Sequence, residues 1–323
     1  MKVWLRIYYI VEMESCGMGR IYTALYRTFR EMGLNVVLKN PNERCIEICI
    51  GGPWQPSKID SYDFNNILIG FTTGETNPRV MPYYELFDCF AVNSQYWLDR
   101  HPIDKPISIW HLGIEPIFFP YLDRNNDVFT FSHIGIAQYR KGTHLVCMAF
   151  DREFQNDNIR LNIISSGITE FYMALKQQFQ DNQKIKFIDG YLKLKDMKNR
   201  YTGDCLVFPS IREGWGLHLT EAMATGMPAI VSNLPVLYEQ FNEDFGWFIN
   251  TDTDFEFIGG NLPDVYDLQR KMRYVYEHQD EAKQKGINAS QNAHQYLTWE
   301  YGIKNGLFPI LEQYGIKIED IMI

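Results

Sequence analysis

The sequence predicts an α/β protein of two Rossmann-like domains, and three observations carry that expectation. Short β-rich apolar runs alternate with longer helical patterns, the mark of a parallel sheet with crossover helices. That alternation runs twice along the chain, separated by a polar, proline-flanked stretch, Ile117–Asp127, that reads as a linker. A length of 323 residues suits two domains of roughly 150 residues each.

In the first half, strands are expected at Val3–Val11, Asn35–Lys39, Ile46–Ile50, Asn66–Phe71, Asp88–Asn93 and Ile107–Trp110. In the second they are expected at Phe129–Gly135, Arg160–Ser165, Lys184–Asp189, Asp204–Pro209, Ala229–Val231 and Gly246–Ile249. Helical spacing lies between them at Gly19–Met32, Thr143–Glu153, Glu170–Gln180, Lys193–Tyr201 and Gly216–Thr225. The chain is then mostly helical from Asp264 to about Gln313. Two such domains facing each other across a cleft is the economical architecture, since ligands of doubly wound sheets bind at the carboxyl ends of strands.

Composition excludes several classes. Apolar residues at 46% and charged residues at 22% are ordinary globular values and argue against disorder. The 31 basic and 40 acidic residues leave a net charge of −9. Such a chain is a poor general nucleic-acid binder, because that role needs many cations to displace counterions. Residues 1–125 carry −2 and the remainder −7, so neither half is a basic platform for nucleic acid or membrane. Peripheral membrane contact stays open but is not indicated by charge. Arg20, Arg27 and Arg30 share a helix face by spacing, which reads as a solvated face. Any anion site must therefore be built locally.

The six cysteines (Cys16, Cys45, Cys49, Cys89, Cys147, Cys205) contain no CxxC pair and lack zinc spacing. They read as buried free thiols of a reducing compartment. No stretch reaches the ~18 apolar residues of a spanning helix, and the apolar start reads as a first strand rather than a signal peptide. The expectation is a soluble, cytoplasmic protein without a metal or cofactor.

The richest segment is Asp204–Asn233, DCLVFPSIREGWGLHLTEAMATGMPAIVSN. An apolar strand ends at Pro209-Ser210, and a loop follows with Glu213, Gly214 and Gly216. A helix then runs until Gly226-Met227-Pro228 punctuates it. Strand, glycine loop and helix N-terminus make a phosphate cradle: glycines let the backbone approach, and free N–H groups point at the anion. Glu213 falls in the loop, and Glu221, eight positions on, falls within the helix where it can accept bonds from a vicinal diol. An ordinary βα turn with a Glu cap is the plainer account of those features taken alone.

The whole string is more specific. It resembles the E-x7-E signature of retaining family 4 glycosyltransferases (glycosyl transferases group 1) at Pro209, Ser210, Glu213, Gly214, Gly216, Leu217, Glu221, Ala222, Met223, Ala224, Gly226 and Pro228. Trp215 stands where that family usually has Phe. Further passages are similar: Asp88–Pro120, Phe129–Phe150, the strand ends Leu161–Gly167 and Ile185–Gly190, and Thr298-Trp299-Glu300 at the start of a C-terminal helix. The resemblance implies the GT-B fold, with that helix crossing back to the first domain. Domain one is then 1–122 plus about 300–323, and domain two, the nucleotide-sugar domain, is 123–299. It also implies donor contacts by Glu213 to the sugar, by Glu221 to the ribose, and by the amides of Gly214, Trp215, Gly216 and Leu217 to the diphosphate. Gly135 and Gly190 join that donor set from the neighbouring strand ends. His218 matches no fixed family residue and reads as a bystander.

The loop Gly135–Gly142 departs from the pattern. The family usually places Arg after the first glycine and Lys before the second, both on donor phosphates. Lys141 keeps its place, whereas the Arg position is Ile136. Arg140 either supplies that charge or points into solvent. Losing one charge-assisted hydrogen bond to phosphate costs on the order of 1.5–3 kcal/mol. In the first domain, Glu14–Gly19 is a weak dinucleotide fingerprint, since Tyr22 stands where a third glycine would be. It resembles instead the family's first glycine loop, which assigns Gly17 and Gly19 to the donor side. Gly51-Gly52-Pro53-Trp54 is a turn that faces either the cleft or solvent. Glu75 is an acceptor-side candidate, with a helix-entry carboxylate as the equal alternative. Asp252-Thr253-Asp254 matches the metal-binding D-x-D of another glycosyltransferase fold, but reads as a solvated turn far from the cradle.

The resemblance thus implies retaining, metal-independent transfer of a sugar from a nucleoside-diphosphate donor to an acceptor hydroxyl on a glycan, lipid or protein-linked acceptor. Glu213, Lys141 and Arg140 are the catalytic candidates. Two alternatives stay open: a non-catalytic nucleotide-sugar or glycan-binding scaffold, which Ile136 keeps in play, and a nucleotide-sugar epimerase.

Overall fold

The computed structural model describes residues 3–8, 17–37, 45–50, 66–74, 77–80, 84–252 and 260–323. The chain forms two compact units. Unit 1 combines Met1–Glu115 with Tyr296–Ile323, and unit 2 is Pro116–Gln295.

Unit 1 begins with β1 (Trp4–Tyr8), α1 (Gly17–Glu31), β2 (Val36–Val37), β3 (Cys45–Ile50), β4 (Ile67–Thr72) and β5 (Cys89–Val92). The short helix α2 (Gln95–Arg100) and β6 (Ile107–Ile109) follow. The strands form one sheet in the order β2-β1-β3-β4-β5-β6, with every neighbouring pair parallel. Both β3 and β4 are buried along their whole length, which is why a parallel sheet reads as continuous apolar runs. Glu47 is the exception. It is fully buried in β3 and sits in register with Arg6 of β1, whose Nη1 lies 3.5 Å from Glu47 Oε1. Asn66 Nδ2 donates to the same oxygen at 3.0 Å. The strand order reverses between β1 and β3, and the segments that follow those strands, 9–16 and 51–65, lie outside the described residues. So do the candidate loop residues Glu14–Cys16 and Gly51–Trp54. Helix α2 was absent from the sequence expectation. At six residues it is too short to show a period, and Ser94 caps it by accepting from the Trp97 amide at 3.3 Å.

Unit 2 holds β7 (Phe129–Ile134), α3 (Thr143–Glu153), β8 (Ile159–Ser165), α4 (Glu170–Gln178), β9 (Ile185–Asp189) and β10 (Cys205–Phe208). Then come α5 (Leu217–Ala224), β11 (Ala229–Ser232), β12 (Gly246–Ile249) and a small antiparallel pair, β13 (Thr251–Asp252) with β14 (Leu262–Pro263). Helices α6 (Val265–Glu277) and α7 (Gln279–Tyr296) complete the run. The main sheet is parallel throughout, in the order β12-β11-β10-β7-β8-β9. Its core gathers Phe131, Phe150, Leu161, Val207 and Met272. The helical pattern expected at Lys193–Tyr201 forms as a tighter 3-10 helix over Leu194–Arg200.

The stretch read as linker, Ile117–Asp127, packs onto unit 2. Phe119 meets the Tyr201 ring edge-on at 6.0 Å, and the Leu122 amide donates to the Thr225 carbonyl at 3.0 Å.

The chain then returns to unit 1 through α8 (Trp299–Gly302), a π-helical turn at Ile303–Leu307 and α9 (Phe308–Gln313). Thr298 caps α8 by accepting from the Tyr301 amide at 3.1 Å. The segment joins the strand edge through Ile114, whose amide donates to Leu297 at 2.8 Å and whose carbonyl accepts from Trp299 at 3.2 Å. Among the described residues no helix is long and apolar enough to cross a membrane.

Candidate functional site

In unit 2 the strand order reverses between β7 and β10, and a doubly wound sheet leaves its ligand crevice beyond the carboxyl ends of such a pair. Two loops leave the sheet there, Gly135–Gly142 after β7 and Pro209–Gly216 after β10. They are tied to each other. The Ile211 amide donates to the Arg140 carbonyl at 2.8 Å, and Arg140 Nη1 donates to the Arg212 carbonyl at 3.2 Å. Gly142 takes the left-handed conformation (φ +68°), and any Cβ there would collide with the Pro209 carbonyl oxygen.

His133 locks the base of this junction. Its Nδ1 lies 2.8 Å from the Val207 carbonyl, which can only accept, so Nδ1 carries the proton. Nε2 then accepts from Thr143 Oγ1 at 3.0 Å. Burial pushes the His133 pKa down to about 4, against the smaller raising effect of the Val207 hydrogen bond, so the ring is neutral at ordinary pH.

Lys141 and Glu213, one from each loop, form a close ion pair between Nζ and Oε1. Ser210 Oγ donates to the same carboxylate oxygen at 2.6 Å. Glu213 is only 5% exposed and Lys141 15%, so the pair is held in a largely desolvated place.

Helix α5 begins directly after this pair. Gly216 is its N-cap in a left-handed conformation (φ +99°), and the Leu219 and Thr220 amides bond back to the Gly216 carbonyl at 2.8 and 3.3 Å. The Leu217 and His218 amides are the first of the helix, at the end where the dipole favours an anion. The loop before it is tied down by side chains. Trp215 is buried, its carbonyl accepts from Gln240 Nε2, and Gln240 Oε1 accepts from Thr220 Oγ1 at 2.7 Å.

The far end of α5 is satisfied by protein. Ser290 Oγ donates to the Ala224 carbonyl at 2.8 Å, and His294 Nε2 lies 3.1 Å from the same oxygen. Arg124 Nη1 donates to the Thr225 carbonyl at 2.8 Å, while its other nitrogens reach the Gly203 and Tyr201 carbonyls at 2.8 and 2.9 Å. Burial lowers the Arg124 pKa to about 10, which leaves a cation at the helix C-terminus at neutral pH. The C-terminal end of α5 is thus closed by side chains of the same unit.

Glu221 lies one turn into α5 and is 1% exposed. Tyr201, itself fully buried, donates its hydroxyl proton to Glu221 Oε2. His218 Nδ1 lies 3.2 Å from that carboxylate oxygen and 2.8 Å from Tyr201 Oη. His218, expected as a bystander, is a member of this cluster.

The neighbouring strand ends complete the edge. Ser165 Oγ accepts from the Ala137 amide at 3.2 Å and donates to the Gly167 carbonyl at 2.6 Å, tying the Gly135–Gly142 loop to the end of β8. Gly190 follows β9 with φ +138° and open space where a side chain would be, and its carbonyl accepts from Arg200 Nη2 at 2.7 Å.

Unit 2 therefore carries Gly135, Arg140, Lys141, Gly190, Glu213, Gly214, Trp215, Gly216, Leu217 and Glu221 on the carboxyl edge of one sheet or on the helix that starts there. Gly17 and Gly19 open α1 in unit 1. Glu75 and Thr253-Asp254 lie outside the described residues, and Asp252 ends β13. Ile136, where the resembled family has Arg, is 41% exposed. Tyr201, His218, Arg124 and His133 were missed as site residues. The i, i+3 spacing of His218 and Glu221 was the one legible signal among them. Among the described residues no group of three or more His, Cys, Asp or Glu is placed to hold a metal ion.

Comparison with known proteins agrees with this architecture. Residues 116–292, more than half of the chain, match the family described as glycosyl transferases group 1. A 150-residue stretch is 23% identical to the processive diacylglycerol alpha-glucosyltransferase of Acholeplasma laidlawii, covering 43% of this chain and 45% of that protein. A 96-residue stretch is 34% identical to the O-antigen chain mannosyltransferase of Salmonella typhimurium, covering 28% and 27%. These matches span less than half the length of either relative. The crystal structure of Anabaena HepE in complex with UDP-glucose superposes with a TM-score of 0.70 at 12% identity, covering 98% of this chain and all of that one. At that identity the likeness is one of fold. With two parallel-sheet Rossmann-like halves and the family's match through unit 2, the chain belongs to the glycosyl transferases group 1 family and has the GT-B fold.

Proposed function

We propose that the protein transfers a glycosyl group from a nucleoside-diphosphate sugar to an acceptor hydroxyl, with retention of anomeric configuration and without a metal ion. The observation that carries this reading is the Lys141–Glu213 pair set at the open N-terminus of α5, between the two loops of the strand-order reversal. The chemical demand is to stabilise a departing nucleoside diphosphate as charge builds on it. Preorganised amides of Gly214 to Leu217, the helix end and Lys141 supply that stabilisation without reorganising.

In this reading Glu213 contacts donor sugar hydroxyls, which compete with Ser210 and Lys141 for its carboxylate. Glu221 accepts from the ribose diol. Arg140 acts through the loop, since its guanidinium holds the Arg212 carbonyl that precedes Glu213. Gly135 and Gly190 leave room for the nucleotide, and Gly17 and Gly19 keep the donor-side assignment that the family resemblance gives them. The donor phosphate itself takes the acceptor proton, so no protein base is needed. Glu75 is assigned to the acceptor side, and the acceptor is a glycan, lipid or protein-linked hydroxyl. The UDP-glucose in the Anabaena structure makes that nucleotide sugar the first donor to test.

The test is product analysis. The protein is incubated with a panel of nucleoside-diphosphate sugars and a hydroxylated acceptor, with and without EDTA, and the product's anomeric carbon is read by NMR. The reading expects the donor's configuration in the product and full activity in EDTA. An inverted product overturns retention, and a strict Mn2+ or Mg2+ requirement overturns metal independence. Donor binding without transfer would assign the chain to a binding scaffold instead.

A further inference from the structure

The cations nominated for the cradle are engaged with protein groups. Lys141 is paired with Glu213, Arg140 lies on the Arg212 carbonyl, and the adjoining position is the uncharged Ile136. Glu221 adds a buried negative charge beside the same helix end. A diphosphate placed there meets two carboxylates and one paired lysine, a poor balance for a group of its charge.

His218 is positioned to correct that balance. It is the second residue of α5, where helix amides already favour an anion. Its side chain is 22% exposed, against 1% for Glu221. Gly135 marks the direction it faces: a Cβ on Gly135 would lie 3.6 Å from His218 Cδ2 and 3.9 Å from Nε2. The Cδ2–Nε2 edge of the ring is thus turned to the loop that follows β7. The opposite edge is fixed. The Tyr201 hydroxyl proton goes to Glu221, so Tyr201 Oη and Glu221 Oε2 both act as acceptors toward His218, and Nδ1 must carry a proton. A second proton on the ring can then only sit on Nε2, the edge turned to Gly135.

We propose that His218, as an imidazolium held by Glu221 and Tyr201, donates from Nε2 to a phosphate oxygen of the nucleoside-diphosphate donor, in place of a loop cation. The inference rests on the donor-site reading above and assigns it a further binding residue. It makes donor affinity depend on the charge of His218, with binding tight when the ring is charged and weaker when it is neutral. Of the titratable groups, Glu221 on its own helix and Tyr201 after the 3-10 helix meet His218 directly; the two loops that converge before the same helix carry Arg140 and Lys141 after β7, and Arg212 and Glu213 after β10. The histidines nearest that junction are shifted down: burial holds His133 near 4 and pushes His144 below its ordinary value.

The test is equilibrium binding of UDP-glucose, and of GDP-mannose as a second donor, at pH 5.5, 7.0 and 8.5. Diphosphate diesters keep a constant charge over this range, so the ligand contributes no slope. The wild-type dissociation constant is expected to rise about tenfold from pH 5.5 to 8.5, the scale of one charge-assisted hydrogen bond. His218→Gln is expected to bind weakly with a flat profile, and His218→Arg to bind tightly with a flat profile, which a merely structural role would not give. A flat wild-type profile, or a His218→Gln protein with wild-type affinity and slope, overturns the proposal while leaving the donor site intact. If neither nucleotide sugar binds at any pH, the donor-site reading itself falls and takes this inference with it.

Discussion

Lys141 Nζ and Glu213 Oε1 form an ion pair that closes the loop after β7 onto the loop after β10. The two residues stand 72 positions apart, yet both are more than four-fifths buried, and Ser210 adds a third group to the same carboxylate. Such a pair holds the two loops in one geometry before any ligand arrives.

Removing one partner leaves a buried charge uncompensated. Lys141→Ala is expected to destabilise the protein by about 3 kcal/mol, the lower end for a broken buried pair because the lysine keeps some water contact. The double variant Lys141→Ala/Glu213→Ala is expected to cost at least about 1 kcal/mol less than the two single changes added together. Urea unfolding of the four proteins measures this. Strict additivity would show that the pair is not coupled.

Two left-handed glycines separate strain from collision. At Gly216 (φ +99°) a Cβ would meet only Leu237 and Phe208 at 3.4 to 3.6 Å, ordinary contact, so Gly216→Ala carries the backbone cost alone, about 1 kcal/mol. At Gly142 (φ +68°) the added Cβ strikes the Pro209 carbonyl, which cannot rotate away. Gly142→Ala is therefore expected to cost about 3 kcal/mol or more, as strain and overpacking add. Thermal unfolding ranks the two, and equal losses would contradict the close approach of these loops.

His133 sets an acid limit on stability. Its folded pKa, about 4, lies below the usual value of 6.5, so between those values the unfolded chain binds more protons than the folded one. Its contribution is present above pH 6.5 and is lost as pH falls toward 4, by about 3 kcal/mol in all. His133→Gln is expected to flatten that part of the stability profile in chemical denaturation between pH 4 and 7. An unchanged slope would mean that the ring accepts a proton in the fold.

Much of the fold was legible in the sequence because parallel strands are buried on both faces. Cys205–Phe208 and Ala229–Val231 stand out as unbroken apolar runs, and Gly216 with Gly226 punctuates the helix between them. Glu213 stood out for another reason, its place eight positions before Glu221 in the glycine-containing string that follows the apolar strand. What stayed hidden depends on distance along the chain. Tyr201 reaches Glu221 across 20 positions, and Arg124 reaches Thr225 across 101, although its neighbours read as linker. Arg6 and Glu47 look like surface charges in their own strands, and only the β1–β3 register brings them together. The 3-10 geometry of Leu194–Arg200 shares a near-helical period with an α-helix, so spacing alone does not separate the two.

The central claim is that the Lys141–Glu213 junction and the N-terminus of α5 hold and activate a nucleoside-diphosphate sugar. The most direct measurement is nucleoside-diphosphate release from the donor panel by the wild type, Glu213→Ala and Glu221→Ala, each first shown to be folded. The account predicts release by the wild type and a kcat lower by about 100-fold or more in Glu213→Ala, the scale of removing one group that acts on the transition state. It predicts mainly a raised KM in Glu221→Ala, where a binding contact is removed. Wild-type rates and KM values in both variants would contradict it.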